Sequence, residues 1–274
     1  MLLKGKTGKV GPPNLADLPI NKAFLDAVKI SIEDHNRENK NKIPSAYYSP
    51  SAMNCIRQMY YKRTSTIPDK DETLYCDIGM ADTGTRRHEA IQEALLYMTK
   101  KHSTDFIYVD VEEYVKQKKA RGKCLNLVVL GKAGAETMLF DKELDINFRC
   151  DGILLHKPSK KFYLFEFKNQ ISFKASGKDS VDLAHHNQVI MYCNLLDLDD
   201  ALVLYENRDN CELYCPEVFS VSAYDKVMAV KKITDCNDYV KHHKTPPIPE
   251  NISAKDCGYC RYRITCRKDE RDCG

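Results

Sequence analysis

Leu144–Lys168 reads LDINFRCDGILLHKPSKKFYLFEFK. Leu144, Ile146 and Phe148 alternate with polar residues, which is the period of a strand, and run into Cys150-Asp151-Gly152-Ile153-Leu154-Leu155. His156 to Lys161 has the composition of a turn, and Phe162 to Lys168 reads as the return strand of a hairpin. Residues two apart on a strand share a face, so Glu166 and Lys168 project together. If the turn pairs the two strands, Asp151 reaches the same face. Two converging carboxylates would suit a hard cation such as Mg²⁺ or Mn²⁺, with water in the remaining positions. A lysine beside them can orient or deprotonate an attacking water, or neutralise charge on a phosphate. The plain alternative is a surface ion pair between Glu166 and Lys168. Against it, Leu164, Phe165 and Phe167 make the strand an interior one, where a charged side chain wants a functional reason.

Upstream of the hairpin the pattern is mainly helical. Residues 1–19 read as an irregular arm, Asn21–His35 as a helix and Asn36–Lys42 as a polar loop. A helix beginning at Ser49-Pro50-Ser51 carries Met53, Ile56, Met59 and Tyr60, and another spans Thr83–Lys100. Ile107, Val109 and Val111 suggest a strand, and so does Leu125–Leu130. Downstream come a helix over Val181–Leu196, strands at Ala201–Tyr205 and Val218–Val221, and a helix over Ala223–His242. The order predicts an α/β (α+β) fold, a mixed central sheet flanked by helices. We expect an N-terminal arm and helix over 1–45, a core over 46–244, and a Cys-rich segment over 245–274 that begins at a Pro-rich linker.

The chain has 274 residues, 43% of them hydrophobic and 30% charged, which predicts a globular protein rather than a disordered one. No apolar run approaches the roughly 20 residues of a membrane helix, and the first residues do not read as a signal peptide. A cytoplasmic protein with no membrane role is expected. The net charge of +3 says nothing about partners, but two basic runs stand out. One is Lys157–Lys178, with six lysines against Glu166 alone, and the other is Lys116–Lys123, with five Lys/Arg and no acid. Each is either a solvated face or a track for a phosphate backbone.

Twelve cysteines without a secretory signal favour metal binding for any clustered subset. Cys257, Cys260 and Cys266 form C-x2-C-x5-C, and a tetrahedral site needs a fourth ligand. Cys273 is close in sequence, and Cys55 becomes close if the tail folds back. Zinc, an iron–sulfur cluster and reduced non-ligating thiols all remain open on spacing alone.

Asp151, then Glu166-x-Lys168 on a hairpin, resembles the PD-(D/E)xK nuclease superfamily. Gly84-Thr-Arg-Arg-His88 is similar to the G-x-x-x-H motif of its RecB-like branch, and Gln188-Val-Ile-Met-Tyr192 to that branch's Q-x-x-x-Y motif. On their own, His88 could be a helix-surface histidine, and Gln188 with Tyr192 a polar pair one helical turn apart. Two positions depart from the pattern: Phe148 stands where a glycine is usual, and Asn169 where a small residue is usual. Ser51-Ala-Met-Asn-Cys55-Ile-Arg-Gln-Met-Tyr60 resembles the S-x-x-x-C-x-R-x-x-Y signature of RecB-like nucleases with an iron–sulfur cluster, the AddB-like and CRISPR-associated exonuclease group.

The resemblance implies a restriction-endonuclease-like core and a divalent-metal-dependent deoxyribonuclease, expected to be an exonuclease. It implies His88, Asp151, Glu166 and the Phe167 carbonyl as ligands of Mg²⁺ or Mn²⁺, with Lys168, Gln188 and Tyr192 completing the catalytic set. It also implies a [4Fe–4S] cluster on Cys55, Cys257, Cys260 and Cys266, with Zn²⁺ as the alternative occupant. The implied partners are single-stranded DNA or duplex ends, together with helicase, recombination or CRISPR proteins. A catalytically silent nucleic-acid-binding or regulatory protein that kept the nuclease fold is the other function class.

Overall fold

The computed structural model describes residues 20–40, 46–69, 75–101, 104–133, 136–170, 180–250, 252, 257–258 and 260–272. The arm expected over 1–19, Lys174, Lys178 and Cys273 lie outside the described residues. Two compact units are present, one of Met1–Lys42 with Glu72–Asp82 and the other of Ile43–Asp71 with Thr83–Gly274. The first contains helix α1 (Ile20–Lys40), which runs on through the stretch expected to be a loop. Arg37, Glu38 and Lys40 are good helix formers, so polarity there does not by itself end a helix. Among the described residues no helix is long and apolar enough to cross a membrane.

The second unit is a mixed α/β assembly built on two sheets. One sheet has the order β1 (Phe106–Val109), β5 (Gly152–His156), β6 (Lys161–Gln170), β7 (Asp200–Asn207) and β8 (Leu213–Tyr214), with β9 (Phe219–Ser220) also on β7. The other has the order β2 (Leu127–Ala133), β3 (Glu136–Asp141) and β4 (Ile146–Cys150). β6 and β7 run parallel and are joined through helix α5 (Leu183–Leu195); the other pairings are antiparallel. Strand β6 is central and covered on both faces, which is why Leu164–Phe167 reads as an unbroken apolar run around one glutamate. Phe165 and Phe167 pack with Ile91 of helix α3 (Tyr75–Lys101), whereas Leu164 joins the main core with Val189, Met191 and Tyr192.

The hairpin forms, with Gly152 opposite Phe165 and His156 opposite Lys161. The strand before it does not run on as one piece. Cys150 ends β4 in the three-stranded sheet and Gly152 opens β5 in the other, so the chain changes sheets at Asp151. Gly152 lets the Tyr108 ring lie against the change: a Cβ there would stand 2.2 Å from it.

Several expected boundaries move. The segment expected as one helix from Ser49 is a 3₁₀ turn, Pro50–Ala52, followed by helix α2 (Ile56–Arg63), with Cys55 in extended conformation at its N-cap. Helix α3 starts at Tyr75 rather than near Thr83. Val111, expected in a strand, opens helix α4 (Val111–Ala120), because the Asp110 carboxylate caps it by accepting from Glu113 N. Strand β3 was not expected; Met138, Leu139 and Phe140 in succession hide its alternation. Helices α6 (Ala223–Lys241) and α7 (Arg263–Asp272) complete the described chain. α6 opens on a capping box in which Ser222 and Asp225 satisfy each other's backbone amides.

Candidate functional site

Asp151 is 4% exposed and tied down on three sides. Its carbonyl accepts from Gln92 Nε2 at 2.8 Å and from Tyr108 Oη at 2.6 Å. Its Oδ2 accepts from Phe167 N at 2.8 Å, which locks the carboxylate onto the middle of β6. Its Oδ1 lies 3.3 Å from His88 Nδ1, close enough for an ion pair but not in hydrogen-bond alignment, so His88 Nδ1 is buried without a hydrogen-bond partner. The His88 ring stands edge-on to Phe167 with centroids 4.9 Å apart. Burial opposes the His88 imidazolium, but Asp151, and then Glu166, outweigh burial and leave its pKa raised.

Glu166 is 3% exposed. Its Oε1 accepts from Lys168 Nζ at 2.7 Å and from Gln188 Nε2 at 2.9 Å. Its Oε2 is buried and has no hydrogen-bond partner. Burial raises the Glu166 pKa and Asp151 adds to that, while Lys168 and His88 pull it down. Gln188 sits at the centre of the polar cluster: its Oε1 accepts from Lys168 Nζ at 3.0 Å, and its Nε2 also donates to Tyr192 Oη at 3.0 Å. Tyr192 is buried against Phe148, with ring centroids 5.4 Å apart, and burial pushes its phenol pKa up. The unusual Phe148 therefore fills the space beside that tyrosine. Tyr192 holds Gln188 from inside the core.

The structure thus brings His88, Asp151, Glu166, Lys168, Gln188 and Tyr192 to one place, where two sheets and two helices meet. Asn169, the other unusual position, donates to Glu206 Oε1 at 2.7 Å and accepts from Arg208 Nε at 2.6 Å. Glu206 is fully buried and forms a two-pronged pair with Arg87, the residue before His88. That pair fastens the His88 turn of α3 to β7. A sequence reader misses it because the partners are 119 residues apart and neither carries a local signal.

Glu136 was also missed. Its ligand oxygen, one from Asp151 and a ring nitrogen of His88 all lie within 4.8 Å of one another. Two carboxylates and one imidazole suit a hard divalent ion; Glu166 is not among the three residues whose ligand atoms converge.

Lys157, Lys160 and Lys161 sit at the turn end of the hairpin, roughly 17 Å along β6 from Glu166 at 3.3 Å per residue. Lys161 Nζ is 2.5 Å from Asp200 Oδ2, and Lys118 Nζ donates to both the carbonyl and the carboxylate of Asp197. Both lysines are engaged in fold contacts.

Around Cys55 the tail folds back. Arg57 Nη2 donates to the Cys266 carbonyl at 3.2 Å, Tyr61 Oη donates to Asp269 Oδ2 at 2.8 Å, and Tyr61 packs on Tyr262 at 5.4 Å. The thiols of Cys55, Cys257 and Cys260 all act on Cys266, whose pKa is raised first by burial and then by those neighbours, against the pull of Arg57. Cys55 and the C-x2-C-x5-C motif therefore share one neighbourhood.

No family model and no curated protein matches the chain. A solved structure described as "Crystal structure of SSO0001" is similar at 15% identity, covering 91% of this chain and 96% of that chain, with a TM-score of 0.43. A likeness at that score carries no weight for fold or chemistry.

Proposed function

We propose that the chain is a divalent-metal-dependent deoxyribonuclease, acting as an exonuclease on single strands or duplex ends. The observation that carries this reading is the orphaned, buried Glu166 Oε2 in a cluster with Asp151 and His88, with Lys168 on the same strand face. A buried carboxylate oxygen without a donor is costly unless something positive occupies the space beside it. The donor types of His88, Asp151 and Glu166 suit Mg²⁺ or Mn²⁺, and the resemblance adds the Phe167 carbonyl. Such an ion supplies Lewis acidity toward a phosphate and makes a bound water more acidic.

The other steps belong to the chain's own groups. Lys168 commits two of its three donors, to Glu166 Oε1 and Gln188 Oε1, and the third is left for the attacking water or a phosphate oxygen. Gln188 keeps the carboxylate and the ammonium in fixed relation, so neither must reorganise as charge builds on the phosphate. Asp151 is held on both its carbonyl and its carboxylate, which fixes its position before substrate arrives. The helicase, recombination or CRISPR partners suggested by the resemblance belong to this same proposal, as does a [4Fe–4S] cluster on Cys55, Cys257, Cys260 and Cys266. What supports the cluster is the shared neighbourhood of those four thiols.

The deciding experiment incubates end-labelled single- and double-stranded DNA with Mn²⁺, Mg²⁺ or EDTA. Cleavage should require the metal and fall at least about 100-fold in Asp151→Asn, a loss at or beyond the range for weakened metal sites. Lys168→Met should lower turnover far more than DNA affinity, since its contribution belongs to the transition state. EDTA-resistant cleavage, or full activity in Asp151→Asn, would reject the proposal.

A further inference from the structure

We propose that Glu136 is an additional ligand of the divalent ion, contributed by the three-stranded sheet. The inference rests on the reading that His88 and Asp151 hold such an ion. Its starting point is the register. Thr137 pairs with Cys150 across β3 and β4, so one further step sets Glu136 opposite Asp151. On the other sheet Gly152 pairs with Phe165, so one step back sets Glu166 opposite Asp151. The residue at the change of sheets therefore has a glutamate beside it in each sheet.

Side-chain positions agree with the register. Ligand atoms of His88, Glu136 and Asp151 are mutually within 4.8 Å, a spacing that a single ion bound at about 2.0–2.6 Å can bridge. A separate observation points to a cation beside Asp151: Glu166 is 3% exposed and its Oε2 has no hydrogen-bond partner. Three carboxylates gather against few positive charges. Lys168 is 2.7 Å from Glu166, and Arg149 Nη1 is 3.4 Å from Glu136 Oε2. The Arg149 side chain is 61% exposed, so that pair is a weak surface contact and holds Glu136 only loosely. Met138, two residues along β3, shares the face of Glu136, whereas Thr137 and Leu139 point into the core.

A ligand from each sheet has a consequence beyond affinity. An ion bound across the sheet change stabilises the folded chain, in proportion to the logarithm of its concentration over its Kd.

The test is Mn²⁺ titration by calorimetry together with thermal unfolding, on wild type, Glu136→Gln, Asp151→Asn and Arg149→Gln. Glu136→Gln should weaken Mn²⁺ binding at least about 10-fold and shrink the Mn²⁺-induced rise in melting temperature, with metal-free melting unchanged. Arg149→Gln removes the competitor for Glu136 and should bind Mn²⁺ as tightly as wild type or more tightly. If Glu136→Gln binds Mn²⁺ like wild type while Asp151→Asn does not, Glu136 is no ligand and the metal-site reading survives. If wild type and Asp151→Asn bind Mn²⁺ equally or not at all, the metal-site reading falls and this inference falls with it.

Discussion

Gln188 makes three hydrogen bonds, to Glu166, Lys168 and Tyr192, so its removal disturbs both members of the Glu-x-Lys pair at once. It touches Glu166, a ligand in the proposed metal site, rather than the ion, and outer-shell partners of that kind are worth about 10–100-fold. Gln188→Ala should therefore lower single-turnover cleavage by about that factor while leaving DNA affinity, measured in EDTA, unchanged. The reverse pattern, lost affinity with a normal rate, would make Gln188 a DNA contact. Asp151, Glu166 and Lys168 were legible because a hairpin period and a two-residue spacing put them on one face. Gln188 and Tyr192 were legible only through resemblance, and the burial of Tyr192 was not legible at all: a tyrosine on a helix of mixed polarity can face either way. Glu136 stayed hidden because its strand was hidden, and the Arg87–Glu206 pair because charge complementarity has no sequence range.

Gly152 decides the geometry of β5, since a methyl group there would stand 2.2 Å from Tyr108 Cε2, inside any tolerable contact. Gly152→Ala should cost about 3 kcal/mol, the upper part of the range for overpacking. Adding Tyr108→Ala should recover part of that loss, so urea melts of the double variant should fall short of additivity. Strict additivity would mean that the ring is not the obstacle. At the far end of the hairpin, Asp200 holds Lys161 and accepts from Ser220 Oγ at 2.7 Å. Burial pushes the Asp200 carboxyl pKa up, but Lys161 and then Ser220 outweigh it, so the value ends lowered. A carboxyl with a depressed folded pKa adds stability that is fully present above its unfolded value near 3.9 and is lost as pH falls through the folded value. The urea midpoints of wild type and Asp200→Asn should therefore differ at pH 7, and the gap should narrow as pH falls from about 4 toward 3; an equal gap at pH 7 and pH 3 would exclude this linkage. The same strands show what periodicity can and cannot deliver. β6 was expected within two residues at each end and the end of β5 within one, because a strong turn separates two apolar runs, whereas the change of sheets that opens β5 was not. α4 was missed although Val111, Tyr114 and Val115 lie on one face, because the β1 alternation reached Val111 first and the cap at Asp110 went unread.

Residues far apart in sequence meet where the tail folds onto α2. Asp69 N donates to the Arg261 carbonyl at 2.8 Å, and Asp69 Oδ1 accepts from Thr265 Oγ1 at 2.7 Å, beside the Arg57–Cys266 and Tyr61–Asp269 bonds. No local pattern announces such contacts; the Cys55 motif was the one hint, and it came through resemblance. These bonds already dock the tail, so a cluster on Cys55, Cys257, Cys260 and Cys266 would reinforce a clasp rather than create one. Joining Cys55 to Cys257 closes a loop of roughly 200 residues, and constraining a loop that long restricts the unfolded chain by about 5 kcal/mol in the chain-entropy account. Metal binding of this kind counts as folding free energy. Anaerobically purified protein should be brown. Cys55→Ser and Cys257→Ser should each bleach it and lower the melting temperature, with nuclease activity falling only as the folded fraction falls, because phosphodiester hydrolysis transfers no electrons. Cys273→Ser should leave colour and melting unchanged. Arg57→Ala supplies the contrast, since it removes a bond to Cys266 without removing a thiol: it should lower the melting temperature and keep the colour. A brown Cys55→Ser protein beside a colourless Cys273→Ser protein would show that the tail binds its metal alone, and the two flanks would then be joined by the Asp69, Arg57 and Tyr61 bonds only.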